Sequence, residues 1–170
     1  MVGFEEIYLV AHNTPSESRE SGLRCRFIRI NEQWGIKFYR KESMRNKTHD
    51  FQKKAAEVGL APRIGQCFEL TIPFNEDDDE PVEVYGYVTE CISETYGDRM
   101  AYEMYSCSYD ECTDSQQNEI EESMYRDYAY DKLIAGMCHI GITTSDIHIM
   151  NVGYLKGKLV CIDFSEEEEL

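Results

Sequence analysis

Apolar and polar positions alternate in short runs over the first half of the chain and take on a helical period in the second. Phe4-Glu-Glu-Ile-Tyr-Leu-Val10 is rich in β-branched and aromatic residues, which predicts a first strand. Residues 13–22 are polar, with Pro15 and three serines, and predict a loop. Residues 24–30 and 34–40 read as two further strands, joined by Asn31-Glu32-Gln33, and adjacent antiparallel pairing is the economical arrangement. Residues 47–58 predict a helix, with Phe51, Ala55 and Val58 on one face. Gly59 ends it and Pro62 keeps it from resuming. Residues 63–74 and 82–92 alternate as strands around the acidic loop 75–81.

Residues 116–139 form the longest helical pattern, with Ile120, Met124, Tyr128, Ile134 and Cys138 recurring at roughly helical spacing before Gly141. Two short apolar runs, 151–154 and 158–164, flank Lys156-Gly157, a hairpin signal. The glutamate-rich segment 165–170 reads as a frayed tail. This order of elements predicts an α+β protein with two unequal lobes, 1–92 strand-rich with one helix and 93–170 mainly helical with a small hairpin.

The chain of 170 residues carries 17 basic and 33 acidic side chains, for a formal net charge of -16. Such a surface repels phosphate backbones, which argues against direct nucleic-acid binding and leaves a basic protein partner as an alternative. The five carboxylates 76–80 lack the alternation and glycine of a calcium-binding loop, so a solvated turn is expected there. Seven cysteines, an odd number spread through apolar stretches, predict reduced thiols. Cys107 and Cys112 have a loose metal-ligand spacing with no second pair to complete a zinc site, so a structural role is expected. The first residues lack the apolar core of a secretion signal, and no run approaches the roughly 20 apolar residues of a membrane span. A cytoplasmic protein is expected.

The chemistry-bearing stretch is Thr143-Thr-Ser-Asp-Ile-His-Ile-Met-Asn151, followed by Lys158-Leu-Val-Cys-Ile-Asp-Phe-Ser165. An Asp and an Asn five residues apart, then a hairpin ending in Asp-Phe, resemble the catalytic loop and metal-binding element of protein kinases. The wording Asp146-Ile147-His148 is similar to that of atypical and small-molecule kinases. Upstream, Trp34-Gly-Ile-Lys37 resembles the third-strand lysine segment, Gly59-Leu-Ala-Pro62 a common helix ending, and Tyr87-Val-Thr-Glu-Cys91 the strand running into the hinge.

The resemblance spans most of the chain, from about Phe4 to Ser165, and implies a kinase-like fold. That fold has an antiparallel five-stranded N-lobe and a much reduced helical C-lobe with a short β-hairpin. It also implies ATP and Mg2+ as cofactors and transfer of a phosphoryl group to a hydroxyl of a protein or small molecule, a reaction that depends mainly on positioning and charge neutralisation. By the same resemblance Lys37 holds the α- and β-phosphates, and Asp146 orients the attacking hydroxyl or accepts its proton. Asn151 and Asp163 supply oxygen ligands to magnesium, and the backbone at Glu90 and Cys91 meets adenine. The expected helix glutamate that would pair with Lys37 is replaced by Thr48 at the aligned position, with Asp50 the nearest carboxylate that can substitute.

Three departures support a second reading, a kinase-like binding module that modulates a partner protein without catalysis. The loop 13–22 lacks a glycine-rich phosphate cover, the helix glutamate is missing, and the chain stops soon after Ser165 without an activation segment. Compactness and truncation fit a mobile-element, phage or effector protein, the last two working in a host cytoplasm. A third reading, a charge mimic that blocks a nucleic-acid-binding protein, rests only on the net charge of -16 and the acidic runs 76–80 and 166–169.

Overall fold

Antiparallel strand pairing organises the first part of the molecule, described here from a computed structural model covering residues 2–15, 19–21, 25–75, 78, 80–142 and 147–164. The chain divides into two compact units: residues 1–53 with 63–91, and residues 54–62 with 92–170. Helices α1 (Phe4–Asn13) and α2 (Glu42–Glu57) accompany strands β1 (Glu20–Ser21), β2 (Arg26–Arg29), β3 (Trp34–Tyr39), β4 (Ile64–Ile72) and β5 (Val82–Glu90). The strands form one antiparallel sheet in the order β1-β2-β3-β5-β4, with β1 only two residues long.

On one face, Ile28, Ile36, Phe38, Phe68, Leu70, Ile72, Val84 and Val88 form a core with Val2, Ile7 and Ala11. Ile7 and Ala11 are four residues apart and both fully buried, so they define the inward stripe of α1. The expected strand at 4–10 is therefore a helix, and the strand set proposed from sequence is corrected at this point. Glu5 and Glu6 fall in the first turn, where carboxylates favour a helix start, and this outweighs the β-branched and aromatic content that suggested a strand. Phe4, Tyr8 and Leu9 are instead exposed. Arg19 caps the end of this helix from inside the unit, donating to the carbonyls of Ala11 and Thr14 at 3.3 and 3.1 Å and to Pro73 O at 2.6 Å.

The opposite face carries Cys25, Tyr39 and Tyr87. Gln52 of α2 docks there: its Nε2 donates to Thr89 Oγ1 at 2.7 Å and its Oε1 accepts from the Tyr87 hydroxyl at 2.9 Å. The helix starts at Glu42, five residues before the expected 47, because Glu42 and Arg45 add a first turn that is polar but anchored. Arg45 is buried and reaches Gly86 O at 3.5 Å. The acidic connection from β4 to β5 is anchored rather than only solvated. Asp78 accepts from the Phe74 and Asn75 N–H groups at 2.8 and 2.7 Å and pairs with Arg40.

The second unit contains β6 (Glu94–Thr95), α3 (Tyr96–Tyr105), α4 (Asp114–Tyr125), α5 (Tyr128–His139), β7 (Val152–Leu155) and β8 (Lys158–Cys161). Its sheet is antiparallel in the order β6-β7-β8. The expected single helix 116–139 is two helices, broken because Asp127 leaves helical geometry and caps α5 by accepting from the Ala129 N–H at 2.8 Å. The break resets the buried stripe. Ile120 and Met124 face inward on α4, whereas α5 buries Tyr130, Leu133 and Met137 and exposes Tyr128 and Cys138. α3 has no counterpart in the sequence reading; its start is marked by Thr95, whose hydroxyl accepts from the Asp98 N–H at 3.0 Å. The hairpin signal at Lys156-Gly157 turns β7 into β8 with both residues at positive φ, 52° and 79°. No helix among the described residues is long and apolar enough to cross a membrane. The fold is α+β with antiparallel sheets, as expected.

Two tests follow from the first unit. A methyl group at Gly86 would stand 2.6 Å from the Lys37 carbonyl and collide with the Phe68 ring, so Gly86→Ala is expected to destabilise by about 2 kcal/mol in urea titration. Asp78 titrates below the usual carboxylate range, held there chiefly by the Asn75 N–H, which outweighs the opposing effect of burial, with Arg40 and the Phe74 N–H adding to it. Its contribution is complete above the ordinary carboxylate pKa and disappears as pH falls through the lowered folded value. Asp78→Asn should therefore lower the melting temperature at pH 7, with the gap to wild type closing on acidification.

Candidate functional site

Strand alternation decides where Lys37 lies. Ile36 and Phe38 face the core under α1, so Lys37 is on the other face with Tyr39, directly opposite Tyr87 on β5 and Phe27 on β2. Its side chain is buried, with only 9% exposure. An ordinary strand lysine is solvated, and burying an ammonium is costly, so a lysine buried on a central strand stands apart from that pattern. Tyr39 and Tyr87 stack at 6.3 Å between centroids beside it, and His49 meets Tyr87 edge-on at 5.4 Å.

Asp50 does not fill the role expected of it. Its side chain is 79% exposed and lies 3.3 Å from the neighbouring His49 ring. The reason is helical phase: α2 turns Arg45, Thr48 and Gln52 inward, which puts Asp50 on the solvent side. Thr48, at the position aligned with the missing glutamate, is buried and donates its hydroxyl back to Met44 O at 2.8 Å.

Glu90 and Cys91 close β5. The Glu90 N–H donates to Arg63 O and the Cys91 N–H to Gln33 O, each at 2.8 Å. Both expected hinge donors are thus engaged within the first unit. The Glu90 carboxylate is 2% exposed and receives a two-pronged contact from Arg63, Nε to Oε2 at 3.0 Å and Nη2 to Oε1 at 3.1 Å. The Arg63 guanidinium, 57% exposed, lies 5.5 Å from the centre of the Trp34 ring and is held above its ordinary pKa by the hydrogen bond and charge of Glu90. Sequence reasoning missed Arg63 as the partner of Glu90, because the pairing needs the β4–β5 register to become visible.

The second unit assembles the other candidate residues around its hairpin. Val152 pairs with Cys161, and the Ile162 N–H donates to Asn151 O at 2.8 Å. Asn151 precedes β7 and Asp163 follows β8, so hairpin pairing brings two residues twelve apart in the chain to adjoining strand ends. Asn151 is buried and Asp163 half-buried. One Asp163 oxygen, Oδ1, accepts from the Phe164 N–H at 2.8 Å. Before them, the Tyr130 hydroxyl fixes Ile147 O at 2.9 Å, which ties the loop to α5. Asp146, the expected catalytic residue, lies outside the described residues.

His148 organises the turn Ile149–Asn151. Its Nδ1 accepts from the Met150 N–H at 3.2 Å, and its Nε2 lies 3.1 Å from the Asn151 amide nitrogen. A neutral ring that accepts at Nδ1 carries its hydrogen on Nε2 and needs an oxygen there. Turning the Asn151 amide over supplies that oxygen, and amide orientation is assigned from such networks rather than from atom positions. The Asp-x-His wording was the available signal for this role. Its turn-capping function became readable only with the geometry.

Among the described residues no group of three His, Cys, Asp or Glu side chains gathers as a ready ion site. Asn151 and Asp163 nonetheless offer hard oxygen donors of the kind magnesium takes when water and phosphate oxygens complete its shell. No protein-family model and no curated protein sequence matches the chain.

The Arg63–Glu90 pair makes an asymmetric prediction. Arg63→Ala leaves a buried carboxylate without this guanidinium, whereas Glu90→Gln leaves a mostly hydrated guanidinium. The first is expected to cost about 2 kcal/mol and the second under about 1 kcal/mol, measured by denaturant midpoint.

Proposed function

We propose that this protein is a minimal kinase-like phosphotransferase that uses ATP with Mg2+ and modifies a hydroxyl on a protein or small molecule. The observation that carries the reading is the β7–β8 hairpin, whose register, extended by the Ile162-to-Asn151 hydrogen bond, brings Asn151, just before β7, to the end of β8 that Asp163 follows. The buried Lys37 on β3 adds to it, since a cation kept inside a tyrosine-lined sheet face needs a reason.

In this reading the Lys37 ammonium binds phosphate oxygens, and Asp146 receives the proton of the attacking hydroxyl. The Asn151 and Asp163 oxygens would hold the metal, which when bound supplies charge neutralisation to the transferring phosphoryl group. His148 and Tyr130 set the conformation of the segment that carries Asn151. A cytoplasmic location, with ATP and magnesium at hand, belongs to the same proposal.

One observation favours a second reading, a kinase-like binding module acting on a protein partner. The N–H groups of Glu90 and Cys91 are both engaged inside the first unit, and Asp50 faces solvent. Such a module recognises its partner without needing nucleotide.

Thermal unfolding with and without magnesium-ATP separates the two. A nucleotide at a hundredfold excess over its Kd stabilises by about 2.7 kcal/mol, which for a chain of this size raises Tm by about 5–10 °C. That rise is expected for wild type and is expected to vanish in Lys37→Met and Asp163→Ala. Labelled ATP should then yield autophosphorylation or transfer that Asp146→Ala abolishes. An unchanged melting temperature at millimolar magnesium-ATP would sink the phosphotransferase reading and leave the binding module.

A further inference from the structure

The connection from α3 to α4 carries Cys107 and Cys112, two of the chain's seven cysteines. Neither has a part in the proposed phosphotransfer. The five-residue step between them is shaped by local hydrogen bonds. Ser106 ends α3 in the left-handed region at φ 59°. Ser108 and Glu111 cap one another around the single turn Tyr109–Glu111, with the Ser108 N–H donating to Glu111 Oε2 at 3.0 Å. The Cys112 N–H then bonds Tyr109 O at 3.2 Å, and Thr113 opens α4 with a reciprocal cap to Gln116.

This turn folds the chain back on itself and brings the two sulfurs to 3.3 Å. A disulfide needs roughly 2.05 Å, so closure asks for a displacement of roughly 1 Å between two side chains already in contact. Cys112 is buried and its thiol lies 3.5 Å from Ser108 O, while Cys107 is half-buried and open to a small reagent. The other five cysteines lie elsewhere in the fold, Cys67 and Cys138 exposed and Cys25, Cys91 and Cys161 buried.

We propose that Cys107 and Cys112 form a reversible intramolecular disulfide, with a low-molecular-weight disulfide of the glutathione class as oxidant. Cys107 gives its proton to solvent, and its thiolate attacks one sulfur of the oxidant. The oxidant's S–S bond breaks, a Cys107 mixed disulfide forms, and one small thiolate leaves. Cys112 then loses its proton, attacks Cys107 Sγ and displaces the second small thiolate. The two cysteines are oxidised by two electrons in total, and the oxidant is reduced to two thiols. The order of attack follows from burial. Removal from water, followed by the Cys107 thiol and the Glu111 carboxylate, pushes the Cys112 thiol up to about 11, so Cys107 is the first nucleophile. The product closes the connection between α3 and α4 into a small ring around Tyr109–Glu111.

The test uses the full chain, fully reduced and incubated with oxidised glutathione, then quenched at intervals with iodoacetamide and mapped by mass spectrometry. The expected product is a Cys107–Cys112 link lacking two hydrogens, reversed by dithiothreitol and formed faster by native protein than by protein in urea. Cys112→Ser is expected to stop at a glutathione adduct on Cys107, and Cys107→Ser to leave Cys112 open to alkylation only after unfolding. Three results would overturn the proposal: both cysteines alkylated after long exposure, a wild-type adduct that never resolves, or equal rates in native and urea-unfolded chains.

Discussion

Antiparallel pairing of β3 with β5 governs the first unit, because it fixes which side chains share each face. Six register pairs run from Trp34 opposite Glu90 to Tyr39 opposite Tyr85. With that register set, a shift of one residue would send Ile36 and Phe38 to the face of α2 and Lys37 into the core under α1. The apolar core excludes that outcome. Gly35 and Gly86 belong to the same constraint, since Phe27 and Phe68 lie across them where a Cβ would stand. The face bearing Lys37, Tyr39, Tyr87 and Thr89 is therefore a by-product of burying the other face well, and Gln52 and Arg45 complete it from α2.

The second unit obeys a different economy. Its candidate chemistry hangs on strand ends and a single turn rather than on a sheet face. The β7–β8 hairpin holds Asn151 and Asp163, His148 caps the turn that presents Asn151, and Tyr130 fixes the chain just before it. On the far side of the hairpin, Lys158 donates to Gly59 O at 2.6 Å and the Cys161 N–H to Leu60 O at 2.9 Å. Each of these contacts uses a backbone group, so the arrangement tolerates side-chain change except at the few residues that reach across.

Features with a local cause were legible in the sequence. Strands 24–30, 34–40, 63–74 and 82–92 carry their signal in β-branched and aromatic residues, with alternating burial along β4, and the turn at Lys156-Gly157 lies in residues at positive φ. The first helix was not legible, because Ile7 and Ala11 are its only two fully buried positions and its exposed Phe4, Tyr8 and Leu9 imitate a strand. The break at Asp127 was visible only as a cap, and a continuous helical period across it concealed the change of phase. Of the candidate site, the placement of Lys37 on a central strand and of Asn151 and Asp163 at the hairpin followed from sequence. Asp50 faces solvent because α2 turns Arg45, Thr48 and Gln52 inward, a phase its few apolar residues do not announce, and Arg63 was missed because its partner is set by sheet register.

The burial of Arg19, Lys37 and Arg45 alters how the charge of this molecule is felt from outside. Among the described residues these three cations are withdrawn from the surface, and Glu90 is the buried carboxylate. At a distance the molecule carries its formal net charge of -16, and near the surface the carboxylates meet an approaching ligand before the buried cations do. An anionic small molecule must cross that repulsive shell before it meets a cation, so a ligand whose charge is already reduced by a divalent counter-ion has the easier approach.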